Sequence, residues 1–241
     1  MTANPALNAQ TAASLTAEHE LRLDDARRSR DDSPASLPEA LRYFVRRGSP
    51  RILIAATAVS VTARLLLGGW SLWDLLPVAL LAAVWPVQEW LIHVYILHFK
   101  PFTWRGRTID FAVPRKHRRH HRDPGNLDIL FIPLHTFAYT LPAVVLIWFA
   151  LAPSPQLALT GLSVHFLFSL NYEWIHFLVH TRLVPKSAAY RRLWKSHRLH
   201  HFKNEHYWMG VSRLGGDWLL GTTPEPTSVA TSPTCRTLLA Q

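Results

Sequence analysis

The chain has 241 residues, enough for one domain of ordinary size, with 49% hydrophobic residues, 17% charged residues and a formal charge of +10. Soluble domains average roughly 25% charged residues, and here the basic residues lie between long apolar runs, so the excess charge points to a membrane protein rather than to a nucleic-acid binder. Cys235 is the only cysteine, which excludes an internal disulfide and a cysteine-ligated metal site.

From Met1 to about Leu37 the chain is rich in Ala, Ser, Thr, Asp and Arg and has no apolar core of the kind a secretory signal needs. The organisation this predicts is a disordered cytosolic tail over 1–45, a membrane-embedded domain over 46–222, and a second disordered tail, rich in Thr, Ser and Pro, over 223–241.

Crossing a bilayer core of about 30 Å takes about 20 mainly apolar residues. Four segments qualify: about Ile52 to Gly69, interrupted by Arg64; about Leu72 to Phe99; about Leu127 to Leu151; and about Gln156 to His180. Of the 26 Lys and Arg residues, eight precede position 52, eight lie in 100–122 and nine follow from Arg182 onward, with Arg64 the exception. Cytosolic loops carry the positive charge, so both termini and the 100–126 loop are expected in the cytosol.

Ten of the 14 histidines form four clusters, all on that cytosolic side. His93 and His98 close the second span; His117, His120 and His121 follow in the loop; His176 and His180 close the fourth span; His197, His200 and His201 lie just beyond it. Residues three and four apart share a helix face, so both H-x2-HH groups and the His176/His180 pair can present their rings together. His93 and His98 differ by about 140° on an α-helix. Either the helix ends or bulges there, or the two rings reach a metal from different sides.

Neutral imidazole is the commonest protein ligand for transition metals, and O2-activating iron needs such ligands plus open positions. These ten can supply two metals with four or five nitrogens each, more than the four ligands of a structural zinc site. Glu89 precedes His93 by four residues and Glu173 precedes His176 by three. Carboxylates in apolar segments are costly and functional, and metal-bound histidines donate their other N–H to such groups, so both are expected beside the ligands or among them. His165, about three turns before His176, is a candidate lining residue of a substrate tunnel, and Asn171 and Tyr172 are candidate substrate contacts. His135 and His206 are further candidate ligands. Arg118, Arg119 and Arg198 could hold an acidic head group.

The set H-x4-H, H-x2-HH, H-x3-H and H-x2-HH resembles the histidine boxes of the fatty acid hydroxylase/sterol desaturase superfamily, as does the short interval from His180 to His197. The segment His200 to Thr222 is similar to the region after the last box in fatty acid 2-hydroxylases, through Lys203, Asn204, Gly210, Val211, Ser212, Asp217, Gly221 and Thr222. The resemblance covers roughly residues 50–222. It implies an all-α, four-span helical bundle with a cytosolic helical cap that holds a dimetal site. The ten box histidines would bind two iron ions, with zinc able to occupy the same nitrogens in a purified form. The reaction would use O2 and two electrons to insert one oxygen into a C–H bond of a lipid, first of all a fatty acyl chain. A sterol, carotenoid or sphingoid base, or desaturation, would be the alternatives within the superfamily. Histidines gathered at one face argue against a metal transporter, which needs ligands spaced along a path. The sequence lacks the His-Pro-Gly-Gly motif of a fused cytochrome b5, so a separate ferredoxin or cytochrome b5 donor is expected to dock on the basic cytosolic face. The Arg-to-Lys ratio of 21 to 5 suggests a GC-rich bacterium and hence its inner membrane.

Overall fold

The computed structural model describes residues 33–239. The tail expected over 1–45 therefore lies mostly outside the described residues, and its last part is corrected. Residues 37–44 form a helix, α1 (Leu37–Phe44), started by Ser36, whose side chain accepts from Glu39 N at 3.4 Å, and by Pro38 in the first turn. Ala40 and Phe44 are buried, and Phe44 stands edge-on to Trp174 at 5.0 Å. Ser-x-Pro-Glu followed by an apolar stripe is a helix-start pattern, but one too short to register beside membrane spans.

Among the described residues, three segments are long and apolar enough to cross a membrane: Gly48–Leu67, Leu72–Leu97 and Leu127–Leu151. They contain α2 (Gly48–Leu67), α3 (Leu75–Leu91) and α5 (Phe137–Leu151). Leu66, Leu72 and Leu151 are 83%, 85% and 77% exposed, and such faces would be aggregation surfaces in water but suit lipid contact. The fourth expected span is α6 (Pro155–Val179), begun by Ser154, which accepts from Leu157 N at 3.3 Å, and Pro155. Its 25 residues cover about 37 Å at 1.5 Å per residue. Its mean hydropathy is lowered by His165, Asn171, Glu173 and His176. The helix packs against α2, α3 and α5 together and forms the axis of the bundle. At Gly161 the missing side chain makes room for the Trp148 ring of α5.

Arg64, the one basic residue out of pattern, is buried at the far end of α2. Its guanidinium binds Asp74 at 2.7 Å and donates to Thr160 Oγ1 at 2.8 Å, tying α2, the start of α3 and α6 together. Removing one partner of a buried ion pair leaves an uncompensated charge, worth about 3–5 kcal/mol. Arg64→Ala is expected to lower the thermal unfolding midpoint of the purified protein sharply while leaving any metal content per folded chain unchanged.

On the histidine side, a two-stranded antiparallel hairpin, β1 (Phe102–Trp104) and β2 (Arg107–Ile109), pairs Thr103 with Thr108. Arg105 and Gly106 both have positive φ, 49° and 73°, as a two-residue hairpin turn requires. The fold is thus mostly helical, with this small departure from the all-α expectation. Beyond it come α4 (Ala112–Arg122), α7 (Ala188–Phe202) and α8 (Gly215–Leu220). The C-terminal stretch expected to be a disordered tail is ordered through residue 239. Ser232 N donates to Lys203 O at 2.7 Å, Asn204 Nδ2 donates to Ala230 O at 3.2 Å, and Cys235 and Leu238 are buried. Polar composition hid it because its backbone, more than its side chains, makes the contacts.

Candidate dimetal centre

The ten box histidines converge as two sets of five. His93, His98, His117, His121 and His200 form one; His120, His176, His180, His197 and His201 form the other, and within each the ligand nitrogens lie within 4.8 Å of one another. The helices explain the partition. After α3 the chain makes a π-helical turn, Ile92–Leu97, with His98 N donating to His93 O at 3.1 Å. The wider turn brings residues five apart onto one side, and the two rings stand 4.8 Å apart. This decides the alternative left open by the five-residue spacing. On α4, His117 and His121 are one turn apart and join the first set, while His120, rotated by roughly 100° from His121, joins the second. On α7 the assignment is reversed: His197 and His201 serve the second set and His200 the first. Each of these two helices therefore feeds both sets.

Backbone carbonyls orient the rings. His93 Nδ1 meets Met209 O at 2.6 Å, His200 Nδ1 meets Tyr207 O at 2.9 Å, and His121 Nδ1 meets Cys235 O at 2.9 Å. With Nδ1–H donated outward, Nε2 is the lone-pair atom that faces inward. Trp208, between the first two carbonyls, has φ of 57°, the left-handed region that a bulky residue adopts only when its surroundings enforce it. Burial holds the imidazoles of His117, His120, His197, His200 and His201 well below their ordinary 6.5, and that of His121 at about 3, so all six are neutral at neutral pH.

The arrangement fits metal ions on two counts. Buried Nε2 atoms of His93, His98, His176 and His200, and both ring nitrogens of His120, have no hydrogen-bond partner among the described residues, whereas buried polar atoms are nearly always paired. Elsewhere ring nitrogens face one another: Nε2 of His197 lies 2.9 Å from that of His180 and 3.0 Å from that of His201, and Nε2 of His117 lies 3.2 Å from that of His121. Adjacent ligands on one metal at about 2.1 Å stand roughly 3 Å apart at right angles.

Among the described residues, neither Glu89 nor Glu173 is hydrogen-bonded to a histidine, although both line the cavity on which His117, His120 and His176 also open. Glu89 accepts from Val211 N, from Ser212 N at 2.7 Å and from Ser212 Oγ at 2.6 Å. Asp217 accepts from Met209 N at 2.8 Å and Gly210 N at 2.6 Å. Two buried carboxylates thus pin the loop whose carbonyls aim His93 and His200, so Glu89 acts on the site one step further out than expected. Gly210 is required there, because a Cβ would lie 2.8 Å from Asp217 Oδ2. Glu173 accepts from Ser49 Oγ at 2.7 Å and Ile132 N at 2.7 Å, fastening α2 and the 132 segment to α6. Of the other candidates, His135 and His206 are exposed and belong to neither set, and His206 lies 3.4 Å from Glu205. Arg118 is buried and bonded to Asp110 and to Phe99 O, at 2.8 Å in the latter case, so it does not face a ligand.

A cavity of about 660 Å³ runs between α2, α3, α5 and α6 and ends on His117, His120 and His176, members of both sets. Leu53, Leu81, Val144, Trp148 and Phe166 give it apolar walls; Gln88, Lys116 and Tyr172 stand at the histidine end. His165 lines it, edge-on to Trp85 at 5.6 Å. Tyr172 also lines it, beside the His176 ring at 5.8 Å. Asn171 is not among its lining residues. Lys116 was not singled out by spacing; its Nζ donates to Phe131 O at 2.6 Å while the side chain faces the cavity.

A helical bundle with three span-length apolar segments, two five-histidine clusters and an apolar cavity ending on both defines a membrane protein with a metal-binding constellation. The fatty acid hydroxylase family model matches residues 78–222, more than half of the chain, and the chain belongs to that family. Among curated proteins it is 25% identical over 159 residues to the dihydroceramide fatty acyl 2-hydroxylase FAH1 of Arabidopsis thaliana, covering 65% of this chain and 64% of that protein. It is likewise 25% identical over 141 residues to FAH2 of the same plant, covering 58% and 57%. The chain therefore aligns with less than two thirds of these relatives' lengths. A solved structure described as full-length scs7p, with only the hydroxylase domain visible, superposes with a TM-score of 0.59 at 21% identity, covering 76% of this chain and 66% of that one, a likeness of fold.

Proposed function

We propose that this chain is a membrane-bound di-iron oxygenase that hydroxylates a lipid acyl chain, with carbon 2 as the carbon attacked, as the names of its relatives suggest. The observation that carries the reading is the apolar cavity whose inner end is formed by histidines of both five-membered sets. The first set would hold one iron and the second the other; zinc would fill the same nitrogens without redox chemistry. Iron held there would supply O2 activation: R–H, O2, two electrons and two protons give R–OH and water. The chain's own residues supply the rest. The walls from Leu53 to Trp148 bind the chain and exclude water, and Lys116 and Gln88 offer hydrogen-bond donors to the acyl carbonyl, which would set carbon 2 against the metals.

The topology consistent with this is four spans, α6 being the fourth, with both termini and the histidine-bearing cap in the cytosol, as the distribution of Lys and Arg supports. Arg115, Arg119 and Arg122 on α4 and Arg191, Arg192, Lys195 and Arg198 on α7 are exposed. That basic outer face suits an acidic ferredoxin or cytochrome b5 donor. The bacterial inner membrane is the proposed location.

The test compares total lipids by mass spectrometry from cells with the chain, without it, and with His176→Ala. A species heavier by one oxygen atom that requires intact His176 is the expected result. A species lighter by two hydrogens would make the chain a desaturase, and unchanged lipids beside a reducing donor system would sink the oxygenase reading.

A further inference from the structure

The cap of the metal site is completed by a segment that lies beyond the family-matched residues 78–222. After the turn Pro226–Ser228, the chain runs back across the ends of α4 and α7. We infer that residues 224–239 are a strap that fixes His121 as a ligand, and that Glu205 is the residue that positions the strap. The inference rests on the dimetal reading given above.

Three observations carry it. First, the strap supplies one of the carbonyls that orient box histidines: Cys235 O meets His121 Nδ1 at 2.9 Å, with both groups buried. Second, the strap is held on both sides of that contact. Ser232 N donates to Lys203 O at 2.7 Å, and Arg236 Nη2 donates to Arg122 O at 2.7 Å while its guanidinium lies 5.2 Å from the Phe202 ring. Third, Glu205 is 3% exposed and accepts from Thr234 Oγ1, next to Cys235, so a buried carboxylate is committed to the residue adjoining the orienting carbonyl. The logic repeats that of Glu89 and Asp217 on the 207–212 loop: a buried carboxylate holds a backbone segment, and the segment's carbonyl sets a ring. It also gives the buried Cys235 a role through its backbone, independent of the thiol.

Partners of metal-bound histidines are worth roughly 10–100-fold in metal affinity. The test loads the full chain with Fe(II), counts metal per chain and measures affinity by chelator competition. It uses the wild type, Thr234→Val, Thr234→Ser, Cys235→Ala and a chain ending at Thr223. Thr234→Val is expected to weaken one of the two sites by about 10–100-fold and leave the other unchanged. Thr234→Ser and Cys235→Ala, which keep the hydroxyl and the carbonyl, should match the wild type, and truncation should halve the metal content. If the truncated chain does not accumulate, Thr234→Val decides. Two sites of wild-type affinity in Thr234→Val would overturn the inference alone; a wild type that takes up no metal would overturn the dimetal reading and the inference with it.

Discussion

His200→Ala is expected to empty the site shared with His93 and to spare the one shared with His176, although His200 lies between His197 and His201 on a single helix. The reverse is expected for His120→Ala on α4, which should behave like His176→Ala and unlike its neighbour His121→Ala. The prediction follows from helix phase. The rings of His117 and His121 point one way from α4 and that of His120 another, while on α7 the third ring is His200. Loss of a partner outside the ligand set already costs roughly 10–100-fold, so removing a direct ligand should exceed that and abolish turnover. Metal counted per chain should fall by half in each variant. His93→Ala combined with His200→Ala should leave the same single metal as either alone, whereas His120→Ala combined with His200→Ala should leave none. Half-loaded double variants in the second case would show that the sets are not partitioned as the geometry has them.

The other large effect is expected at Glu89. Alanine there orphans the amides of Val211 and Ser212 and the Ser212 hydroxyl, three buried donors. Each buried unsatisfied group costs about 1–3 kcal/mol, so a loss of about 3 kcal/mol or more is expected in thermal or denaturant unfolding. The same loop carries Tyr207 O and Met209 O, so metal at the His93 site should also become labile to chelators. Glu89→Gln keeps the shape and one acceptor and should fall between wild type and Glu89→Ala on both readouts. Glu173→Ala tests the contrast. Its partners, Ser49 and Ile132, belong to none of the segments that carry the orienting carbonyls, so it should lose stability by a similar amount with little change in metal affinity.

Much of this was legible in the sequence because the signals were side-chain signals. The apolar runs located the three span-length segments, and the i, i+3, i+4 spacing picked out eight of the ten histidines, His93 and His98 being the other two. The five-residue interval between His93 and His98 signalled a local departure from α-helix, which the structure resolves as a π turn. The parts that were not legible are made by the backbone. The carbonyls of Tyr207, Met209 and Cys235 leave no trace in residue type, so the carboxylates were assigned directly to the histidines, when Glu89 and Asp217 act through amides. The strap read as a loose tail because Thr, Ser and Pro there serve a hydrogen-bonded path, with Cys235 and Leu238 its buried points. The fourth long helix, α6, stands apart from the three span-length apolar segments because His165, Glu173 and His176 on it line the cavity, His176 as a member of the second histidine set.

Hydroxylation under 18O2 tests the central claim most directly, with the iron-loaded chain in membranes, an acyl lipid and a reducing donor protein. One 18O atom per hydroxylated lipid, absent when His176 or His200 is replaced, is the predicted result. Oxygen drawn from water, or product formed equally by the histidine variants, would contradict the account.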